Sequence, residues 1–246
     1  MPIYLNMDRN NLAIATISWA RDAQEENLLR ASLTQLAGLN ILVFITDGGS
    51  QSSFLDFLRS FPHFTILNPR GKGVWAQART SVLAAAATEA SFILYTEPDK
   101  QLFFRDFLPN FLSAAPLAES TGVVLASRSA AGFATFPTFQ QNTETTINAC
   151  CAEIMGPAVD YTYGPFLMNH QLAPYLNRVQ EDIGWGWRPY VFGLAHRLGY
   201  HVVPYEANFI CPPDQRTDSA VERIYRMRQL TQNIQGLVLS TTVALD

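Results

Sequence analysis

The segment Glu97-Pro98-Asp99-Lys100 sets two carboxylates one residue apart, directly behind an apolar run at residues 92–96. Carboxylates at that spacing can share a hard divalent cation and leave its other positions to water and phosphate oxygens. The same residues also suit a turn in which Pro98 fixes φ and both carboxylates are solvated. Position at a strand end favours the site reading. Trp185 and Trp187 flank Gly186, and tryptophans on a loop offer flat faces to a sugar ring as readily as they anchor a core. Gly164, next to Tyr163, either lets the backbone approach a ligand or marks a bulge.

To act, such residues must be held by regular elements, and the first half of the chain alternates strand and helix patterns. Residues 12–17 read as a buried strand. Asp22 with Glu25 makes a capping-box-like helix start, and Leu28, Leu29, Leu33 and Leu36 share one face before Gly38 stops the helix. A second strand at 41–46 runs into Asp47-Gly48-Gly49-Ser50. Phe54, Leu55, Phe57 and Leu58 suit a short helix, and 64–67 a third strand. Arg70-Gly71-Lys72-Gly73 then opens an alanine-rich helix to about residue 90, and 92–96 is the fourth strand. This order predicts an α/β fold, Rossmann-like, with a mainly parallel mixed sheet flanked by helices. Ligands of such sheets bind beyond the carboxyl ends of the strands. Those ends carry Ser18, Asp47, the 70–73 loop, Glu97 and Asp99.

The second half changes character. A strand is expected at 122–127, a helix at 143–155, an extended aromatic-rich stretch at 160–168, a helix at 189–198, a strand at 202–205 and an amphipathic helix at 219–239. No repeat, low-complexity tract or linker appears, so a single domain over residues 1–246 is expected, changing character near residue 127.

Among 246 residues, 17 Lys+Arg stand against 21 Asp+Glu, a formal net charge of −4, which disfavours a nucleic-acid partner. Lys72 and Lys100 are the two lysines among the 17 basic residues, and both fall in the predicted strand-end loops. Hydrophobic residues make up 48% and charged residues 15%, below the roughly 25% usual for soluble domains, and so thinly charged a surface hints at homo-oligomerisation. Met7, Asp8 and Arg9 bring charge before any signal-length apolar run, and no stretch reaches the roughly 18 apolar residues of a membrane span. A cytoplasmic location is the expectation. Cys150, Cys151 and Cys211 indicate neither a disulfide framework nor a zinc knuckle.

Taken in order, these motifs resemble the GT-A class of nucleotide-sugar glycosyltransferases, in particular the family-2-like group. The carriers are the first strand with Ser18, Asp47-Gly48-Gly49-Ser50, Gly71-Lys72-Gly73 followed by Ala78-Arg79, Glu97-Pro98-Asp99, and Glu181-Asp182 ahead of Gly184-Trp185-Gly186-Trp187. The resemblance spans roughly residues 10 to 205 and implies a donor half at about 10–127 and an acceptor half at about 128–246. It implies that Asp47 hydrogen-bonds the nucleobase and that Gly71, Lys72 and Arg79 lie beside the nucleoside. Glu97 and Asp99 then hold Mg²⁺ or Mn²⁺ on the diphosphate of a UDP or GDP sugar. The family usually has aspartate where Glu97 stands, and Lys100 adds a cation that can neutralise part of the diphosphate charge itself. Asp182 matches the base that takes the acceptor proton when configuration inverts, with Glu181 the alternate. Tyr163, Gly164, Trp185, Gly186 and Trp187 match the acceptor side, where a hydroxyl of a sugar, a glycerate-like molecule or a lipid-linked acceptor would bind.

The family often takes a third metal ligand from a late histidine or aspartate, and His196, His201 and Asp214 are candidates without an assignment. Arg216, Arg223, Arg226 and Arg228 could clamp phosphate or pair with Asp218 and Glu222 on a solvated helix face. Two other functions are weighed against glycosyl transfer. A nucleotidyltransferase would carry a glycine-rich loop after the first strand, where this chain has Ser18-Trp19-Ala20-Arg21. A non-catalytic nucleotide- or sugar-binding member would keep the fold and lose turnover.

Overall fold

A computed structural model describes residues 11–245. Met7, Asp8 and Arg9 lie outside the described residues, as does the side chain of Asp214. In chain order the regular elements are β1 (Leu12–Ser18), α1 (Ala23–Ala37), β2 (Leu42–Asp47), α2 (Ser52–Arg59), β3 (Phe64–Leu67), α3 (Gly73–Ala86), β4 (Phe92–Thr96), α4 (Gln101–Asp106), α5 (Leu108–Ala114) and β5 (Thr121–Arg128). They continue with α6 (Ala130–Phe133), α7 (Thr138–Met155), β6 (Phe166–Asn169), α8 (Trp187–Arg197), β7 (His201–Ala207) and α9 (Ala220–Thr242). Short 3-10 helices cover His170–Arg178, Gly184–Gly186 and Pro213–Gln215.

The described chain falls into two compact units, each discontinuous in sequence. The first holds the residues up to Ala115 together with Pro165–Asp182; the second holds Pro116–Gly164 and the residues from Ile183 onward. The 160–168 stretch expected to be extended is thereby split, and only Phe166–Asn169 forms a strand there.

In the first unit the strand order is β3-β2-β1-β4-β6. The pairs β1–β2, β1–β4 and β2–β3 are parallel, and β4–β6 is antiparallel. All seven residues of β1 and all five of β4 are buried. That continuous apolar character is what parallel strands covered on both faces require. Helix α1 starts as its sequence indicates: Asp22 is the N-cap and its carboxylate accepts from the Glu25 backbone N–H at 2.9 Å. The return half of the box is redirected, since Glu25 accepts from the Arg21 N–H and guanidinium rather than capping Asp22. Leu29, Leu33 and Leu36 are the buried face of α1. Helix α3 ends at Ala86, four residues before the expected stop, because Thr88 and Ala90 form a turn in which the Thr88 hydroxyl accepts the Ala90 N–H.

The second unit pairs β5 and β7 in parallel and packs α7, α8 and α9 together. Glycine decides how closely. A Cβ on Gly186 would overlap the Gln232 carbonyl, one on Gly236 the Gly186 carbonyl, and one on Gly193 the Ser240 side chain. Helix α9 therefore meets the Gly184–Gly186 turn and α8 at very close range. Its start is capped by Ser219, whose hydroxyl accepts the Glu222 N–H at 3.2 Å. Among the described residues, no helix is long and apolar enough to cross a membrane.

Candidate active site

The first unit delivers the predicted donor residues to the carboxyl ends of its parallel strands. The register of β1 against β2 pairs Ser18 with Asp47, and the chain leaves β2 through Gly48 and Gly49. Asp47 is buried, and its carboxylate is fully engaged. Oδ1 accepts the N–H groups of Gly49 at 2.9 Å and Ser50 at 2.7 Å, while Oδ2 accepts the hydroxyls of Ser18 and Ser50, each at 2.7 Å. The Ser50 hydroxyl in turn accepts the Ala20 N–H at 2.8 Å. From α3, the Gln77 amide donates to the carbonyls of Ser18 and Thr46 at 3.1 and 3.3 Å. The resemblance has Asp47 meet a nucleobase; in this structure its acceptor capacity is taken by the loop, which it shapes.

Trp19 is the aromatic residue of this cluster that sequence reasoning passed over. It stands 51% exposed just past β1, with the Arg21 guanidinium 5.8 Å from its ring centre. A Cβ on Gly48 would lie 3.1 Å from Trp19, so the glycine lets the loop after β2 pass close beside it. An exposed indole at the mouth of a parallel sheet is a platform for a planar ring.

Between β3 and α3 the chain turns on two left-handed glycines, Gly71 at φ +127° and Gly73 at φ +87°. Lys72 between them is exposed and occupies the N-cap of α3. Asp182 reaches this point from the far end of the unit: a Cβ on Gly73 would lie 3.2 Å from its Oδ2. Glu181 is exposed. Arg79, expected beside the nucleoside, makes its contacts within the unit. It donates from Nη1 to the Val179 carbonyl at 3.2 Å and lies over Trp75, tying α3 to the segment that carries Asp182.

The turn after β4 holds Glu97, Pro98, Asp99 and Lys100, all half-buried. Lys100 is the N-cap of α4, its carbonyl accepting the Phe104 N–H at 2.9 Å. Among the described residues no group of three His, Cys, Asp or Glu side chains is arranged to hold a metal. Glu97 and Asp99 set two carboxylates one residue apart at the end of β4, and hard oxygen donors of that kind suit a divalent ion whose other positions go to phosphate and water. His196 and His201, weighed as a third ligand, belong to the second unit and are exposed.

The predicted acceptor residues lie in the second unit, and most are packing residues. Trp187 is fully buried, so its ring offers no face to a ligand, and the space beside Gly186 is filled by the α9 backbone. Tyr163 is buried and stacks on Phe209, centroids 4.6 Å apart at 4°. Gly164 takes φ +127°, a left-handed turn. Trp185 remains partly exposed; its Nε1 donates to the Tyr225 hydroxyl at 2.8 Å, and the Arg188 guanidinium lies 5.0 Å from its ring centre. Three of the four late arginines are engaged, Arg223 with Asp218 at 2.9 Å, Arg226 with Glu222 at 2.7 Å and Arg216 with the Cys211 carbonyl, while Arg228 is exposed.

A buried ion cluster in this unit had no sequence signal. Arg128, at the end of β5, bonds Asp160 at 2.6 Å, Glu144 at 2.7 Å and the Thr162 hydroxyl at 2.8 Å. The rings of Phe133 and Phe136 stand 4.6 and 4.3 Å from its guanidinium. Burial works to raise the Asp160 carboxyl, but the Arg128 charge and the Thr162 donors outweigh it and hold it at about 2. Burial, with Cys150 alongside, pushes the Cys151 thiol up to about 12, which removes it as a nucleophile at neutral pH.

No family model matches the chain, and no curated protein sequence matches it. Solved structures do. Glucosyl-3-phosphoglycerate synthase from Mycobacterium tuberculosis, in complex with Mn²⁺, UDP and phosphoglyceric acid, superposes with a TM-score of 0.63 at 12% identity, covering 96% of this chain and 80% of that one. The same synthase with Mn²⁺, UDP-glucose and phosphoglyceric acid gives 0.62 at 13% identity over 96% and 81%. A further mycobacterial protein gives 0.62 at 12% identity over 96% and 76%. At such identities the likeness establishes the fold. This chain has the mainly parallel, helix-flanked architecture of GT-A glycosyltransferases.

Proposed function

We propose that this protein is a glycosyltransferase that moves a sugar from a nucleoside-diphosphate sugar to a hydroxyl acceptor with help from a divalent metal. The observation that carries the reading is the gathering of Ser18, Asp47, the 70–73 loop and the Glu97–Asp99 pair at the carboxyl ends of β1 to β4, where ligands of such sheets bind. The likeness to a synthase solved with UDP-glucose and Mn²⁺ supports UDP-glucose as the first donor to test, and phosphoglycerate as the first acceptor.

Transfer breaks the bond between the anomeric carbon and the diphosphate, with the electron pair leaving on the diphosphate oxygen. A bond to the acceptor oxygen forms, and that oxygen loses its proton. Charge therefore grows on the leaving diphosphate, and cations fixed there stabilise the transition state more than the ground state. Glu97 and Asp99 would hold the metal, which supplies that positive charge when bound. Lys100 adds a second cation from the same turn, one that needs no metal. Trp19 stacks the nucleobase, and Asp47 keeps the loop beside it in shape. Of the Glu181–Asp182 pair, Asp182 is assigned the acceptor proton in an inverting reaction, because its carboxylate is the one held against the glycine loop.

Isothermal calorimetry of UDP- and GDP-sugars, with and without Mn²⁺, tests the proposal. Binding of one nucleotide strengthened by Mn²⁺, followed by sugar transfer or donor hydrolysis, is the expected result. Failure to bind any nucleotide would sink it.

A further inference from the structure

Strands of a parallel sheet run out of partners at their carboxyl ends, and the last buried carbonyls there need donors from elsewhere. At the ends of β1 and β2 one side chain supplies them. Nε2 of Gln77, on α3 one turn beyond the Gly71–Gly73 loop, donates to the Ser18 carbonyl at 3.1 Å and to the Thr46 carbonyl at 3.3 Å. A primary amide carries two N–H groups on one nitrogen, which is what bridging carbonyls on two neighbouring strands requires; neither a carboxylate nor a hydroxyl can do it. Gln77 is buried, and both of its N–H groups go to these strand ends.

The loops that leave β1 and β2 are fastened at the same point. The Ser18 carbonyl also accepts the Gly48 N–H at 2.7 Å, and the Ala20 N–H donates to the Ser50 hydroxyl at 2.8 Å. Trp19 is therefore pinned through both of its chain neighbours while half of its surface stays open to solvent. Gly48 leaves room for this. A Cβ there would stand 2.8 Å from Gln77 Nε2 and 3.1 Å from both Cβ and Cγ of Trp19, so the buried amide and the stem of the indole converge on the space that the glycine leaves empty. Without the amide, the two strand ends lose their shared donor and that space opens beside the stem. An aromatic platform whose stem is fixed beforehand binds a planar ring without first having to be ordered, which strengthens binding.

We infer that Gln77 is a positioning residue for nucleotide binding: its amide joins the carboxyl ends of β1 and β2 and thereby fixes Trp19 as the platform for the nucleobase. This role rests on the proposed stacking of the nucleobase on Trp19, and it gives Gln77 no contact with the ligand. Gln77 bonds the ends of β1 and β2, whereas Glu97, Asp99 and Lys100 follow β4, so its effect falls on the nucleoside and not on the diphosphate.

Calorimetry of UDP, and of inorganic pyrophosphate with Mn²⁺, on wild type and Gln77→Met tests this, since methionine keeps the length of the side chain and removes both donors. GDP replaces UDP if it is the nucleotide that wild type binds. The expected result is nucleotide binding weakened roughly 5-fold and pyrophosphate binding unchanged. In a Trp19→Ala background, Gln77→Met should change nucleotide affinity by less than about 2-fold, because the platform it positions is gone. Should urea titration show Gln77→Met to be unfolded, Gly48→Ala takes its place: a methyl group there displaces the far end of Gln77, and the same pattern is expected. Wild-type nucleotide affinity in the variant that folds overturns the inference. So does an equal loss of nucleotide and pyrophosphate binding, the mark of a residue that only holds the fold, or an undiminished effect in the Trp19→Ala background. Wild-type protein that binds no nucleotide overturns the proposed function itself, and this role with it.

Discussion

Gly73 and Asp182, 109 positions apart in the chain by their numbers, meet so closely that a Cβ on the glycine would lie 3.2 Å from Oδ2 of the aspartate. The glycine also sits at φ +87°, a conformation costly to L-residues. Gly73→Ala therefore introduces two separable penalties: left-handed backbone strain, about 1–2 kcal/mol, and crowding against Asp182. A double-mutant cycle in urea separates them. Asp182→Ala should relieve the crowding and leave the strain, giving a coupling of about 0.5 kcal/mol or more between the two sites. Strict additivity would show that the two groups do not meet in solution.

Asp47 shapes the loop after β2 and Trp19 stands half-exposed beside it, so substitutions at the two act on different quantities. Because Asp47 already accepts four hydrogen bonds, its replacement by Asn should act first on stability, by about 2 kcal/mol, since an amide group facing donors leaves them unsatisfied. Trp19 leaves half of its surface to solvent, so Trp19→Ala should leave the unfolding midpoint nearly unchanged and weaken UDP binding roughly 10-fold, the scale of one stacking contact. Trp19→Phe should retain most of the affinity. The checks are urea titration and calorimetry on the same preparations, and equal UDP affinity in wild type and Trp19→Ala would remove Trp19 from the site.

The parts of this protein that were legible beforehand are those set by local rules. β4 falls at Phe92–Thr96 as its apolar run indicates, and Asp22 and Ser219 cap α1 and α9. The strand-end loops followed from them, because a parallel α/β order leaves few places for a ligand. What could not be read depends on partners distant in sequence. Trp187 and Gly186 looked like an acceptor surface, since nothing in Gly-Trp-Gly-Trp announces that α9 will close over it. Arg128, Glu144 and Asp160 are individually ordinary charged residues; only their shared burial makes them a cluster. Arg79 sits where its motif predicts along the chain and yet turns to Val179, because side-chain direction is decided by packing rather than spacing.

On the proposed function, the turn after β4 supplies positive charge in two ways, through Lys100 itself and through a metal held by Glu97 and Asp99, and their contributions are separable. Asp99→Asn should lower turnover by roughly 1,000-fold, the scale of removing one transition-state charge stabiliser, and should abolish any strengthening of UDP binding by Mn²⁺. Lys100→Ala should weaken UDP binding roughly 10-fold whether or not EDTA is present, since an ammonium contacts phosphate without a metal. Calorimetry with Mn²⁺ and with EDTA distinguishes them. A Lys100→Ala effect that vanishes in EDTA would mean that the lysine acts only through the metal-bound state.

Acid should attack the second unit at Asp160. Its carboxyl is held at about 2 in the folded protein and returns to about 3.9 when unfolded. A depressed carboxyl contributes stability that is fully present above the unfolded value and is lost as pH falls through the folded one. From the difference, the contribution is about 2–3 kcal/mol, disappearing between about pH 4 and pH 2. Asp160→Asn should cost more than this at pH 7, about 3–5 kcal/mol, because it leaves the buried Arg128 with Glu144 as its remaining close carboxylate. The variant should also lose part of the acid dependence, so the gap to wild type narrows as pH falls. Urea unfolding at roughly pH 7, 4 and 2.5 measures both quantities, and a gap that stays constant across that range would remove Asp160 as the group that titrates.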